Sequence, residues 1–218
     1  MVGQNRIVII TGASRGLGLA IAQEFAGNGW YVIGTGRSEK HSEFPSNGEY
    51  HQFDASDPEA CEAFWEHVSA QHTGAAYCLV NNAGGYISGS LTKLRPEDYL
   101  LQMQSTYFSA VYTTRGMALL IPQARIINVI SSSALGIYTG DAAYGSAKAA
   151  EMHFFQVLQK EFKPGHYRIT NLYPTDIASQ GPNPRSIKPE DLARFIRTEA
   201  ENDSTYYLRD ATIYPSSD

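Results

Sequence analysis

Cysteine is scarce in this chain: Cys61 and Cys78 are the only two in 218 residues. Cys78 lies in the apolar run Tyr77-Cys78-Leu79-Val80, so a disulfide framework is excluded and a small buried thiol is the reading to expect. Long hydrophobic runs are missing too. The longest are strand-sized, and the N-terminus enters a strand-like segment without the charged flank and apolar core of a signal peptide, so a cytoplasmic protein with no membrane role is expected. The net charge of −5 is not offset by any Lys/Arg cluster, which leaves phosphate backbones and anionic surfaces little to bind, and no nucleic-acid partner is expected. The six histidines show no ligand-like spacing with cysteine or carboxylates, so no metal site is expected. Internal repeats and long linkers are also absent. A chain of this length with 43% hydrophobic residues can bury one sizeable core, and residues 1–218 are expected to form a single domain.

What is present is a rhythm. Apolar, β-branched runs occur at Arg6–Ile10, Trp30–Thr35, Tyr50–Phe53, Ala76–Val80, Arg125–Ile130 and Arg168–Tyr173, with helix-like segments between nearly all of them. Ala211–Tyr214 offers a short additional edge strand. This alternation predicts an α/β fold: a doubly wound, mainly parallel sheet of six to seven strands with helices on both faces, in three layers. Asp57-Pro58, Arg95-Pro96-Glu97-Asp98 and Lys188-Pro189-Glu190-Asp191 mark helix starts, with proline at the first turn and carboxylates beside it. From Pro96 to about Ile121, Leu100, Met103, Tyr107, Val111, Thr114, Ala118 and Ile121 recur at steps of three and four, and Leu101, Phe108, Tyr112 and Leu119 form a second stripe. Within 142–162, Ala143, Ala147, Ala150, Phe154 and Leu158 form another, leaving Phe155 and Phe162 for a different surface. The pair is expected to supply core and a homo-oligomer interface, dimeric or tetrameric.

The first strand runs into Thr11-Gly12-Ala13-Ser14-Arg15-Gly16-Leu17-Gly18 and then into a helical pattern. Strand, glycine-rich turn and helix N-terminus together are a site for a pyrophosphate, and Gly12, Ser14, Arg15, Gly16, Leu17 and Gly18 are the expected cofactor contacts of a Rossmann-type unit. NAD-binding units carry an acid near the end of the second strand, for the ribose hydroxyls. Here that place reads Gly34-Thr35-Gly36-Arg37-Ser38. Arg37, backed by Arg15, offers a charge-assisted fork to a 2′-phosphate, so NADP(H) is expected as cofactor.

Tyr144-Gly145-Ser146-Ala147-Lys148 places a phenol and an ammonium one helical turn apart on one face. A fixed ammonium favours phenolate in a side chain whose ordinary pKa is about 10, which makes Tyr144 an acid/base candidate. The spacing alone is common by chance. Upstream, Ile126–Ile130 ends in Ser131-Ser132-Ser133 without a G-x-S-x-G elbow or a histidine placed to serve Ser131, which argues against a hydrolase.

The T-G-x-x-x-G-x-G turn, the Asn81-Asn82-Ala83-Gly84 strand end, the Tyr144/Lys148 pair and Pro174-Thr175-Asp176-Ile177-Ala178-Ser179 occur in one collinear order, and in that order the chain resembles the short-chain dehydrogenase/reductase family. The resemblance covers nearly the whole chain. It implies that Ser131, thirteen positions before Tyr144, is catalytic with Tyr144 and Lys148. It also implies that Asp54 meets the adenine edge, that Asn82, Ala83 and Gly84 lie on the adenosine ribose side, and that Ile177 and Ser179 meet the nicotinamide. Asp54 has an equally good reading as a helix cap before Pro58, and Asn81 as a tie between strands. Tyr86, Leu135, Tyr138 and Tyr173 are implied as walls of a substrate pocket, with a core role equally open for each.

The chain also departs from the family. Thr106 replaces the asparagine that helps hold a relay water, so either a rearranged relay or plain helix packing fits it. Thr175 and Ser179 replace the usual glycine and threonine, the lid after Ser179 is short, and the tail lacks the family's D-G-G ending, which makes a dimer safer than a tetramer. The expected function is NADP(H)-dependent hydride transfer between nicotinamide and a carbonyl/alcohol substrate: a ketone, aldehyde or 3-oxoacyl reductase. The competing expectation is a non-catalytic NADP(H)-binding sensor or assembly protein on the same fold.

Overall fold

A computed structural model describes residues 6–163, 165–178 and 185–216. Seven strands make one sheet in the order β3-β2-β1-β4-β5-β6-β7: β1 (Arg6–Thr11), β2 (Tyr31–Gly36), β3 (Gly48–Gln52), β4 (Ala76–Asn81), β5 (Ala124–Val129), β6 (Tyr167–Pro174) and β7 (Asp210–Ile213). Every neighbouring pair is parallel. Six α-helices accompany it: α1 (Gly16–Gly27), α2 (Pro58–Gln71), α3 (Pro96–Met103), α4 (Ser109–Leu120), α5 (Ala142–Glu161) and α6 (Pro189–Ala200).

The central strands are apolar on both faces because both are covered. Val8, Ile10, Val32, Val80, Ile127 and Leu172 pack with Leu19, Ile21 and Phe25 of α1 and Leu192 and Ile196 of α6. Alternate residues Ile7, Ile9, Ile33, Leu79, Ile126 and Ile169 pack on the other face with Trp65 and Val68 of α2, Met117 of α4, and Phe155 and Leu158 of α5. The strand order reverses between β1 and β4, so the loops after these two strands diverge and leave a crevice at their carboxyl ends, where doubly wound sheets bind ligands.

The three proline signals each stand at a helix start, with Asp57, Arg95 and Lys188 at the N-cap positions. Asp57 caps α2 through bonds from the N–H groups of Glu59 (3.0 Å) and Ala60 (3.2 Å). The expected single helix from Pro96 to Ile121 is instead α3 and α4 joined by a π-helical turn, Gln104–Phe108. Its buried face shares only Thr114 and Ile121 with the expected stripes. Gln102, Thr106, Ser109, Ala110, Thr113, Thr114 and Met117 face inward, whereas Leu100, Leu101 and Leu119 are exposed. Small residues are required there because the helix lies close against its neighbour: a Cβ on Gly116 would come 2.5 Å from the Trp65 ring. In α5 the buried stripe is Ala143, Ala147, Lys148, Glu151, Phe155 and Leu158, so Phe155 belongs to the core and not to a second surface.

Candidate active site

The turn after β1 uses glycine where the backbone demands it. Gly12 has φ +69° and Gly16 φ +55°, values that side chains resist. A Cβ on Gly18 would lie 2.1 Å from the Gly12 carbonyl oxygen and 2.7 Å from Asn82 Nδ2. The turn is fastened to the end of β4. Asn82 Nδ2 donates to the carbonyls of Thr11 (3.0 Å) and Gly12 (3.3 Å), and Thr11 Oγ1 accepts from the N–H groups of Asn82 (3.0 Å) and Ala83 (2.9 Å). Asn82 is therefore a brace of the loop as well as part of its wall. Arg15 is the N-cap of α1 and makes no side-chain cap bond, so first-turn N–H groups are left to an outside acceptor.

A cleft of about 270 Å³ here is lined by Gly12, Ser14, Arg15, Gly16, Leu17, Gly18, Arg37, Asp54, Asn82, Ala83 and Gly84, among others. Every cofactor contact expected from the first four strands thus opens on one cleft. Arg15 and Arg37 are exposed at its rim. Asp54 does not cap α2, which is the work of Asp57; its Oδ1 accepts from the N–H (2.9 Å) and hydroxyl (2.8 Å) of Ser56 and holds the loop that carries it.

A second cleft, of about 960 Å³, shares Arg15, Gly16, Leu17, Asn82 and Gly84 with the first and contains Ser131, Tyr144, Lys148, Tyr86, Tyr138 and Ile177. Ser131 stands just beyond the end of β5, and its Oγ accepts from the Ser133 N–H at 3.1 Å. Ser132 and Ser133 begin a short 3₁₀ turn. Tyr144 lies in the first turn of α5, with the Tyr86 ring edge-on at 4.9 Å between centroids. Lys148, one turn further on, is 3% exposed.

The Lys148 ammonium donates to the Val129 carbonyl at 3.0 Å and to Glu151 Oε2 at 2.9 Å. Burial alone would lower its pKa; the charge of Glu151, that of a Tyr144 phenolate and the hydrogen bond donated to Glu151 together outweigh burial and hold it above the ordinary lysine range. Burial pushes the Glu151 carboxyl up against the pull of Lys148. Sequence reasoning missed Glu151, since an acid three residues after a lysine on a helix reads as a surface pair. The available signal was its position in the apolar stripe between Ala147 and Phe155.

Thr106 is fully buried in the π-helical turn, a geometry that often marks functional sites. Its Oγ1 accepts from Gln102 Nε2 at 2.7 Å, and Gln102 also bonds the Gly85 carbonyl (2.9 Å) and the Ile87 N–H (2.8 Å), bracing the loop that carries Tyr86. A Cβ on Gly84 would lie 3.7 Å from Thr106 Oγ1 and 3.9 Å from Lys148 Nζ, so hydroxyl and ammonium flank the same glycine.

Two expected pocket walls are corrected. Tyr173 is 2% exposed, and its hydroxyl donates to Asp210 Oδ1 at 2.6 Å; burial and Asp210 raise its pKa, and it does not line the cleft. Leu135 points to solvent beyond the 3₁₀ turn and is not among the lining residues. Ser179 lies outside the described residues, as does 180–184. Tyr173 instead ends a chain of polar side chains that is buried at Asn81, Asn128 and Asn171 and reaches the surface at Asp210. Asn81 Nδ2 donates to Asn128 Oδ1 (2.9 Å), Asn128 Nδ2 to Asn171 Oδ1 (2.8 Å), and Asn171 Nδ2 to Asp210 Oδ1 (3.1 Å). The four residues are in register across β4, β5, β6 and β7, so the reading of Asn81 as a strand tie extends over four strands.

The sequence model of the family described as short chain dehydrogenase matches residues 6–188. A 3-oxoacyl-[acyl-carrier-protein] reductase of Vibrio cholerae is 32% identical over 96% of this chain and 81% of its own. One from Haemophilus influenzae is 29% identical over 93% of both chains. Among solved structures, serine dehydrogenase from Escherichia coli superposes with a TM-score of 0.84 at 26% identity, covering 96% of this chain and 97% of that one. A metagenomic short-chain oxidoreductase in complex with NADP shares the fold, with a TM-score of 0.85 at 23% identity over 99% of both chains.

Proposed function

The chain belongs to the short-chain dehydrogenase/reductase family of oxidoreductases, and from that membership we propose that it is an NADP(H)-dependent carbonyl reductase acting on a ketone, aldehyde or 3-oxoacyl group. The observation that carries the proposal is the opening of Ser131, Tyr144 and Lys148 on one cleft that shares five residues with the glycine-rich cleft.

The residues present fit a dinucleotide phosphate. Gly18 leaves no room for a side chain beneath the turn, α1 presents uncapped N–H groups, and Arg15 and Arg37 stand at the rim of the same cleft to take a 2′-phosphate. NADPH, when bound, supplies the hydride for the carbonyl carbon. Ser131 holds the carbonyl oxygen through its hydroxyl, and Tyr144 gives that oxygen its phenolic proton. Lys148, pinned by Val129 and Glu151, holds its positive charge one helical turn from the phenol. Tyr86 and Tyr138 bound the substrate side. The names of the relatives support a 3-oxoacyl thioester as the first substrate to try.

One observation favours a second reading, a non-catalytic NADP(H)-binding protein: Glu151 partly neutralises the ammonium that Tyr144 depends on. The two readings separate on Tyr144→Phe. The enzyme loses at least about 100-fold in turnover while binding NADPH as before, because general acid catalysis contributes roughly 10²–10⁴-fold. A binding protein consumes no NADPH before or after the change.

A further inference from the structure

Away from that cleft, the edge strand β3 and helix α2 bring together histidines that are scattered in sequence. Glu49 and His51 project from the same face of β3, two residues apart. His67 comes from the last part of α2, and His72 is its C-cap residue. The ligand atoms of Glu49, His51 and His67 all lie within 4.8 Å of one another. Glu49 Oε2 is 3.5 Å from His51 Nε2 and 3.8 Å from His67 Nε2, while His72 Nε2 lies 3.2 Å from the other carboxylate oxygen, Oε1.

We propose that Glu49, His51 and His67 form a binding site for a zinc ion, with His72 orienting the carboxylate from outside. Two donors bound to one tetrahedral zinc at about 2.0–2.1 Å stand roughly 3.3 Å apart, so the two spacings to Glu49 Oε2 need to contract by only a few tenths of an ångström. Two imidazoles and one carboxylate are a donor set zinc accepts, with a fourth position left for water. A second observation points to a ligand. Among the described residues His51 Nε2, shielded from solvent, has no hydrogen-bond partner; Glu49 Oε2 at 3.5 Å makes only an ion-pair contact with it, so a buried nitrogen of the cluster is left unsatisfied. The Glu49–His72 contact supplies the outer partner that metal-bound groups require. The rings of Phe64 and Tyr31 pack against His51 and His72, at 5.2 Å each, on the inner side of the cluster, while His67 is exposed on the outer side.

The ion, with its fourth position open, ties two elements together away from the strand that leads to Ser131. Four strand spacings separate β3 from β5 in the sheet order, placing the cluster roughly 19 Å from the strand that leads to Ser131. It joins an edge strand, whose outer backbone groups lack a sheet partner, to the helix that covers it. Just beyond the strand, Phe53 and Asp54 line the glycine-rich cleft.

The test is a zinc titration of the whole chain by competition with a chromophoric chelator, repeated on His51→Gln, His67→Gln and His72→Gln, with thermal unfolding measured with and without zinc. The site predicts one zinc per chain and a higher melting temperature when zinc is bound. It predicts affinity about 10-fold weaker in His72→Gln and at least about 100-fold weaker in the other two, with Co²⁺ giving the intense visible bands of a tetrahedral site only in the parent. Each variant's circular dichroism and NADPH binding show that it is folded. Equal zinc affinity in the parent and in His51→Gln/His67→Gln would overturn the proposal, as would no binding tighter than about 100 μM (roughly 5.5 kcal/mol) by a folded parent chain.

Discussion

Glu151 sets the charge environment in which Lys148 meets Tyr144. Its negative charge and hydrogen bond help hold the lysine pKa above the ordinary value, against burial, so the ammonium is fully present below that raised value and is lost as pH rises through it. Glu151→Gln removes that support and leaves burial unopposed by the carboxylate. The alkaline limb of kcat/KM should therefore move to lower pH, while NADPH affinity at neutral pH stays close to the parent's. A profile that keeps its alkaline limb would mean that Glu151 only fills space.

Arg37 allows an equally direct check. Charge-assisted bonds are worth about 1.5–3 kcal/mol, so Arg37→Ala should weaken NADPH by roughly 10–100-fold and leave NADH nearly unchanged, narrowing the ratio of their dissociation constants. The two cysteines are predicted to be inert. Burial pushes the thiols of Cys61 up to about 11 and Cys78 up to about 12, so both stay protonated at pH values well below these, and iodoacetamide should label them only once the chain unfolds.

Among the elements, the polar chain Asn81–Asn128–Asn171–Asp210 is the most exacting piece of the sheet, because each of its three amide-to-oxygen bonds depends on the register of neighbouring strands. Asn128→Ala leaves the Asn171 oxygen without this donor and the Asn81 amide with Thr114 alone, 3.1 Å away. The expected cost is about 2–3 kcal/mol, read as a lower urea midpoint with an unchanged slope. Elements were legible in the sequence wherever local chemistry decides them. Proline with carboxylates fixed three helix starts, and β-branched runs marked the strands. The π-helical turn was not legible, since Gln104–Phe108 carries no breaker; it arises where Thr106 and Gln102 turn inward to the Gly85–Ile87 loop. The inward face of α4 was misread for a related reason. Close packing of Gly116 on Trp65 selects small residues, which a hydrophobic pattern does not register.

At the scale of the whole molecule, the order of motifs along the chain was enough to expect the glycine-rich turn after β1 and Ser131 after β5 at one end of the sheet, with Tyr144 and Lys148 on the following helix, because a parallel sheet delivers every strand to the same side. Contacts made by distant segments were out of reach, Tyr173 with Asp210 and Glu49 with His67; the local pair of Lys148 with Glu151 was missed because its carboxylate is hidden in an apolar stripe. We propose that the apolar residues α3 and α4 leave exposed, Leu100, Leu101, Leu119 and Leu120, are covered with α5 in a homodimer. Light scattering should report twice the 24.0 kDa chain mass, and Leu100→Glu with Leu119→Glu should reduce it to one.

The most direct test of the central claim follows NADPH absorbance with 3-oxoacyl thioesters, small ketones and aldehydes, comparing the parent chain with Tyr144→Phe. NADPH should be consumed with at least one of these carbonyls and preferred over NADH, and Tyr144→Phe should lose at least about 100-fold in turnover with NADPH binding intact. Consumption that survives the loss of the Tyr144 hydroxyl, or tight NADPH binding with no turnover of any carbonyl, would contradict the claim.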